Sequence, residues 1–417
     1  MPTRRSFLAA STTALAATSL HAAGEDVIRV GLIGCGDRGT GAAVQALSAD
    51  KNVKLVAMGD AFADRLQSSL DNLRAKKDVA AKVAVKPEAC FTGFDAYKQV
   101  IAASDVVLLT TPPHFRPMHM KAAVEAGKHV FAEKPCAVDA PGVRSVLATC
   151  ELAKKKNLSV VSGLCLRYDY GFQETMKRIH GGEIGDVVTL FANDYRTGRW
   201  IAAATDQTGH ELPDMQLVQL HVALGDFNVE QHVHFLDVCA WAMKDEQPVK
   251  AVGMGGRSVY VGNGSGNIYD HFSIVYEFKN GVRLVSNTRQ QPKCKSNLSA
   301  QVIGTKGWAT LADREDGLAI TANGKTWTYP WPGNQMYQTE HDELFASIRS
   351  GKPVNNGEYM AKSSLLAIMG RMAAYTGQQI TWDMAMHSKE DLSPPAYDWD
   401  AKLPDPPIAV PGVTKFA

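Results

Sequence analysis

Gly34-Cys35-Gly36-Asp37-Arg38-Gly39 sets three glycines at the G-x-G-x-x-G spacing, a pattern suited to holding a pyrophosphate against backbone N–H groups. The first glycine permits a tight strand-to-helix turn, the second lets the phosphates approach the backbone, and the third lets the helix pack close to the strand. Cys35 adds only a small side chain to this loop. Asp60, at the end of the next apolar run, stands where a carboxylate accepts hydrogen bonds from the adenosine ribose. A second group of chemistry-bearing residues lies far downstream, in Glu230, His232, His234 and Asp237. On a helix Glu230 and His234 are i and i+4, so the carboxylate can orient the imidazole, and Asp237 adds a contact on that face. Histidine titrates close to neutrality, which suits His234 to removing a hydroxyl proton as hydride leaves. His232 and His234 would point about 200° apart on a helix, so they do not read as ligands of one metal ion. Taken alone, this cluster also fits a solvated helix face with locally satisfied histidines.

Both groups need a scaffold. Residues 27–33 form an apolar run suited to a strand buried on both faces, and residues 42–47 continue as a helix. From residue 25 to 167 strands and helices alternate, as in a parallel sheet. Residues 105–111 end at Thr111-Pro112-Pro113-His114, and residues 129–132 end at Glu133-Lys134-Pro135. Turn-forming or polar residues thus gather on one carboxyl edge, where open α/β sheets bind ligands. Beyond Arg167 the pattern changes to longer strands and hairpin signals. Asn280-Gly281 and Asn323-Gly324 mark turns, and helical stretches return near residues 341–349 and 360–375. The expected fold class is α/β: a doubly wound parallel sheet, then an α+β unit with a large, mostly antiparallel open sheet. The expected boundaries are 1–23 for a targeting segment, 24–167 and 168–392 for the two units, and 393–417 for a proline-rich extended strap.

The 417 residues, 45% apolar and 21% charged, suffice for two or three domains. A formal net charge of +1, with no long basic run, gives no footprint for nucleic acid. No stretch after the leader approaches the length of a membrane-spanning helix. The leader carries Arg4-Arg5, a mild apolar stretch and small residues at Ala22-Ala23, and looks like a twin-arginine export signal; a Sec signal with two arginines is the alternative. Periplasmic or other exported localisation is expected. That route carries folded proteins, which suits a chain that must collect a nucleotide before export. Seven irregularly spaced cysteines, an odd number without C-x-x-C, do not read as a disulfide framework or a zinc site.

The segments GLIGCGDRG, TPPHFR, AGKHVFAEKP and VEQHVHFLDV, in this order, resemble the Gfo/Idh/MocA oxidoreductases, and the tail end SSLLAIMGRMAAYTGQQITWD resembles their exported branch. The resemblance implies a Rossmann domain for NAD, or less readily NADP, since Asp60 would repel a 2′-phosphate. It further implies a second domain that binds a sugar or glycoside on one sheet face and forms a homo-oligomer through the other. By the same resemblance Thr111, Pro112 and His114 wall the nucleotide, while Glu133 and Lys134 sit beside the nicotinamide. Lys134, His234 and Glu230 are then the catalytic candidates. Arg167 and Tyr168 fall at polar contacts to substrate, joined by His232 and Asp237. Pro113 and Arg116 replace an Asn and a His common in the family, and Glu230 and His232 replace an Asp and a Gly. Three functions fit: a sugar dehydrogenase with internally recycled NAD, a redox-neutral glycosidase or lyase acting through a transient 3-keto sugar, or a binding protein without turnover. The Tyr-Pro-Thr-His-Gly run of relatives acting on N-acetylgalactosamine is absent.

Overall fold

A computed structural model describes residues 26–197, 225–259, 261, 266–312, 317–330, 332–394, 396–399 and 407–417. The expected export segment, residues 1–23, lies outside the described residues.

The first sheet has six parallel strands: β1 (Ile28–Ile33), β2 (Val53–Asp60), β3 (Cys90–Thr92), β4 (Val106–Leu109), β5 (His129–Ala132) and β6 (Val160–Ser162), in the order β3-β2-β1-β4-β5-β6. All four residues of β4 are buried, as are Ile28, Val30, Leu32 and Ile33 of β1, which is why these strands read as apolar runs rather than alternations. Each such side chain contributes roughly 1.5–3 kcal/mol of burial. The order reverses at β1, with β2 on one side and β4 on the other, and a crevice opens above that switch point.

The helices over the first sheet include α1 (Asp37–Ala49), α2 (Ala63–Ala75), α3 (Ala96–Ala103), α4 (Arg116–Glu125) and α5 (Ala140–Lys155). Pro117 occupies the first turn of α4, and Gly127 takes φ +73° just past its end.

The chain then forms α6 (Tyr170–His180), β7 (Val187–Arg196), α7 (Phe227–Glu230) and α8 (Val233–Ala242). The second sheet joins β7 to β8 (Lys250–Gly256), β9 (His271–Glu277), β10 (Arg283–Gln290), β11 (Asn297–Gly304), β12 (Gly307–Ala312), β13 (Ala319–Ala322), β14 (Lys325–Thr328) and β15 (Ile380–Thr381). Its nine strands lie in the order β14-β13-β12-β11-β7-β10-β9-β8-β15 and are antiparallel except where β10 runs parallel to β7. The expected hairpins form. Gly281 (φ +84°) turns β9 into β10, and Asn323 and Gly324, at φ +52° and +72°, give the primed turn between β13 and β14.

Two late helices fasten the units together. Helix α9 (Met336–Ser350) returns to the first sheet, where Leu344, Phe345 and Ile348 pack in one core with Leu32, Leu47 and Val161. The stretch expected as one second unit, 168–392, therefore also supplies a cover for the first. Helix α10 (Gly357–Thr376) is buried over almost its whole length between α5, α8 and β8. Its buried Arg371 donates to Val138 O at 2.7 Å and Gly225 O at 2.9 Å, and pairs with Glu390 at 2.5 Å. A last short helix, α11 (Trp382–His387), precedes the tail. Among the described residues no helix is long and apolar enough to cross a membrane.

Candidate active site

The crevice at the switch point is a cavity of about 530 Å³ that runs from the glycine loop to the second unit. Its floor follows from backbone constraints. Gly34 has φ +97°, and a Cβ there would lie 2.6 Å from Thr111 N. At Gly39 a Cβ would lie 2.0 Å from Gly34 O, so only glycine lets α1 sit this close to β1. Gly36 is the opposite case, because a Cβ there would meet nothing within 4 Å. That open space faces the first turn of α1, which has no side-chain cap, so its N–H groups and positive dipole end are available to phosphates. Asp60 accepts from Cys35 N at 2.6 Å and from Phe62 N at 3.0 Å, each oxygen keeping further acceptor capacity for a ribose. Burial raises the Asp60 pKa, and the two amides pull it back. These residues fit a dinucleotide.

The far end of the crevice belongs to Lys134 and the second unit. Lys134 Nζ donates to Glu230 O at 2.7 Å and to Glu230 Oε1 at 3.2 Å. His234 lines the same cavity with Gln231. Burial, with the charges of Lys134 and Arg196, pushes the His234 pKa well down, so the imidazole is neutral. Its Nδ1 is buried without a partner among the described residues, so no protein contact there fixes the tautomer. One expectation is corrected here. Glu230 ends α7 and His234 is the second residue of α8, with a break at Gln231 and His232, and the Glu230 carboxylate goes to Lys134 rather than to the imidazole. The two side chains are brought together by the cavity, not by one helix face.

Beside Lys134, Glu133 is bound by the Arg38 guanidinium, which also donates to Glu340 Oε1 at 2.9 Å and Gln45 Oε1 at 2.8 Å. Burial opposes the Arg38 charge, but the two carboxylates hold its pKa up. Arg38 lines the cavity with its guanidinium clamped between the two carboxylates. Thr111 and Pro112 wall the crevice as expected.

Five other expectations are corrected. His114 is not among the cavity-lining residues; its Nε2 meets Tyr397 OH at 2.8 Å. Arg167 and Asp237 bind each other, with Arg167 Nη2 at 2.8 Å from Asp237 Oδ1, and Arg167 also pairs with Asp245 at 2.6 Å. That buried pair is structural. Tyr168 OH donates to Asn356 Oδ1 at 2.6 Å, away from the crevice. His232 is buried against Ser286, 2.8 Å between Nε2 and Oγ. Arg116 is buried and donates to Pro135 O at 2.9 Å and to Thr111 O, tying the ends of β4 and β5 together.

Sequence reasoning missed His119, Phe62, Phe94 and Trp399, all of which line the crevice. His119 falls on α4 one turn after Phe115, and its ring stacks on Tyr97 with centroids 4.3 Å apart. An aromatic at the end of each crossover was the available signal for Phe62 and Phe94. Trp399 had none.

Burial pushes both His119 and His232 down to about 3, with Arg116 and His114 adding to the first and Arg196 to the second. The folded protein holds both neutral, whereas the unfolded chain protonates them below the ordinary value of 6.5. Stability is therefore lost as pH falls through 6.5, with a slope that approaches about 1.4 kcal/mol per pH unit for each once the unfolded chain is fully protonated. Asp226, pushed up to about 6 by burial, offsets part of this below pH 6. The His232→Gln variant should show a shallower fall in urea-unfolding free energy between pH 7 and 5, by about 1 kcal/mol per unit on average. An unchanged slope would remove His232 from the acid sensitivity.

An ammonium and a neutral imidazole facing the far end of a dinucleotide crevice define the class, a nicotinamide-dependent oxidoreductase. Residues 28–163 match the GFO_IDH_MocA model, described as an oxidoreductase family with an NAD-binding Rossmann fold. The chain is 24% identical over 323 residues to the inositol 2-dehydrogenase of Rhizobium meliloti (strain 1021), covering 77% of this chain and 86% of that one. It is 31% identical over 225 residues to glycosyl hydrolase family 109 protein 2 of Shewanella sp. (strain ANA-3), a match covering 47% of each. In fold it is similar to scyllo-inositol dehydrogenase from Lactobacillus casei, solved with bound cofactor NAD(H) and scyllo-inositol. That match has a TM-score of 0.66 at 17% identity over 86% of this chain and all of the other.

Proposed function

We propose that this protein oxidises a ring hydroxyl of a sugar, cyclic polyol or glycoside with NAD that stays bound and is recycled within the protein by passing its hydride to a second, carbonyl-bearing substrate. The observation that carries the reading is Lys134, whose ammonium reaches from the end of β5 to Glu230 of the second unit, in the crevice that begins at the glycine loop. NAD, when bound, supplies the acceptor for the hydride that leaves the carbinol carbon. Of the three Lys134 N–H donors two are spent on Glu230, which leaves one for a substrate oxygen. Fixed positive charge there stabilises the oxygen as it loses its proton. His234, neutral in the same cavity, takes that proton.

The Arg4-Arg5 leader supports export to the periplasm, where no free nicotinamide pool reoxidises a released cofactor. Retention and internal recycling follow from that placement. The homo-oligomer is proposed to form on the open face of the second sheet, where Val252, Met254 and Trp308 are exposed.

A redox-neutral cleavage of a glycoside is the second reading, favoured by two acid–base groups in one cavity and by the similarity to a glycosyl hydrolase family 109 protein. A transient ketone at C3 acidifies the C2 proton; elimination then needs a base for that proton and an acid for the leaving group, roles open to His234 and Glu230. His232, held by Ser286, is withdrawn from them.

The test is turnover of a panel of sugars, cyclic polyols and glycosides in deuterated water without added cofactor, followed by product mass and cofactor absorbance. Oxidation with recycling gives a ketone and no deuterium at C2, with reduced cofactor that builds up to one equivalent and is discharged when a carbonyl-bearing sugar is added as acceptor. Cleavage gives free aglycone, deuterium at C2 and only transient absorbance. No product from any member would overturn both readings in favour of binding without turnover.

A further inference from the structure

The tail adds a wall to the nucleotide crevice. Leu392 N donates to Asp139 Oδ2 at 2.9 Å, and Tyr397 OH meets His114 Nε2 at 2.8 Å, which anchors the tail on the loops after β5 and β4. Two residues further on, the Trp399 ring lies 4.6 Å from Phe94 and 5.2 Å from Phe62, centroid to centroid. Phe62 comes two residues after Asp60 at the end of β2, and Phe94 two residues after β3. All three rings line the crevice. In this topology the acidic residue at the end of the second strand marks the adenosine half of the site. The rings are therefore gathered at that half, opposite Lys134.

Trp399 nonetheless keeps 54% of its surface exposed, in contrast to the tail-contacting Tyr269 at 2%. An aromatic that served only to anchor the strap would be covered. Contact with Phe94 and Phe62 takes up part of the indole and leaves a broad apolar surface unpartnered among crevice-lining residues. Such a surface suits a purine, whose flat face stacks on aromatic rings.

We propose that residues 396–399 of the tail close the adenosine end of the dinucleotide site, with Trp399 packing against the adenine and the His114–Tyr397 hydrogen bond as the latch. This segment thereby slows nucleotide release, which is what an enzyme without an external cofactor pool requires. This inference rests on the dinucleotide reading of the glycine loop and on the proposed retention of NAD.

Full-length wild type, Trp399→Ala and Trp399→Phe proteins are loaded with NAD and diluted, and retained nucleotide is measured over time after denaturation. Release should be roughly tenfold faster from Trp399→Ala and near wild type from Trp399→Phe. Affinity for AMP should weaken by the same factor, while affinity for nicotinamide mononucleotide stays unchanged. Equal release from wild type and Trp399→Ala would overturn the role of this segment. So would equal weakening toward both half-ligands, which would mean a general loss of the site. A wild-type protein that binds neither NAD nor AMP is a different result, and it would overturn the dinucleotide reading together with this one.

Discussion

Replacing Lys134 with Ala should lower kcat by about 10²–10⁴-fold on whichever panel substrate turns over, with the fold and bound nucleotide retained. Lys134 is the last position of the first sheet's chemistry before the chain enters Pro135, and its ammonium is the link between the two units at the crevice. The residue contributes in the transition state, because the charge on the substrate oxygen develops only as the proton and hydride leave. Its loss should therefore appear in kcat rather than in KM. The structural cost is small. Glu230 is left without its cation, but its side chain is 15% exposed in the crevice and water can solvate it. Lys134→Arg keeps the charge yet replaces a compact ammonium with a planar fork, so it should recover only part of the rate. Thermal melting and nucleotide content separate a chemical defect from a folding one. A folded, nucleotide-bound Lys134→Ala protein with kcat within a few-fold of wild type would take Lys134 out of the mechanism.

How far the sequence foretold this site depends on the range of the forces involved. The glycine loop was readable because each glycine answers a local backbone requirement, a positive φ at Gly34 and a close approach at Gly39. Asp60, Thr111 and Lys134 were readable because strand ends announce themselves by the end of an apolar run. The turns at Asn280-Gly281 and Asn323-Gly324 have the same local character.

Polar residues whose partners lie far along the chain were misassigned. Arg167 looked like a substrate contact because Asp237 and Asp245, which neutralise it, are some 70 residues away or more. His114 resembled a nucleotide wall until Tyr397, 283 residues later, took its Nε2. Arg38 sits inside the glycine loop, yet its partner Glu340 comes from α9, at a separation of 302 residues. The single helix read through Glu230 and His234 failed for another reason. Helical periodicity continues across the break at Gln231 and His232, and nothing local marks where the first helix stops. Tertiary demand decided it, since Glu230 must reach Lys134 while His232 is buried on Ser286.

Alanine at Gly36 and at Gly39 should separate binding from folding within one loop. At Gly36 the backbone lies at φ −72°, which any residue adopts, and a Cβ meets no protein atom within 4 Å. The fold should tolerate Gly36→Ala, with stability unchanged or raised by about 0.4–1 kcal/mol through the unfolded chain. The methyl group would instead fill the space through which the pyrophosphate approaches the backbone. NAD affinity should fall by roughly 100-fold, equivalent to about 2.7 kcal/mol. Gly39→Ala has the opposite signature. Its Cβ would sit 2.0 Å from Gly34 O and 2.7 Å from Thr110 Oγ1, so α1 must move off β1 and disturb the switch point. Overpacking of backbone on backbone should cost about 3 kcal/mol or more, lowering the melting temperature of the nucleotide-free protein. Melting without nucleotide and calorimetric NAD titration give the two coordinates. If Gly36→Ala bound NAD like the wild type, the phosphates would not pass over this loop. If Gly39→Ala melted like the wild type, the close packing of helix on strand would not be what requires glycine there.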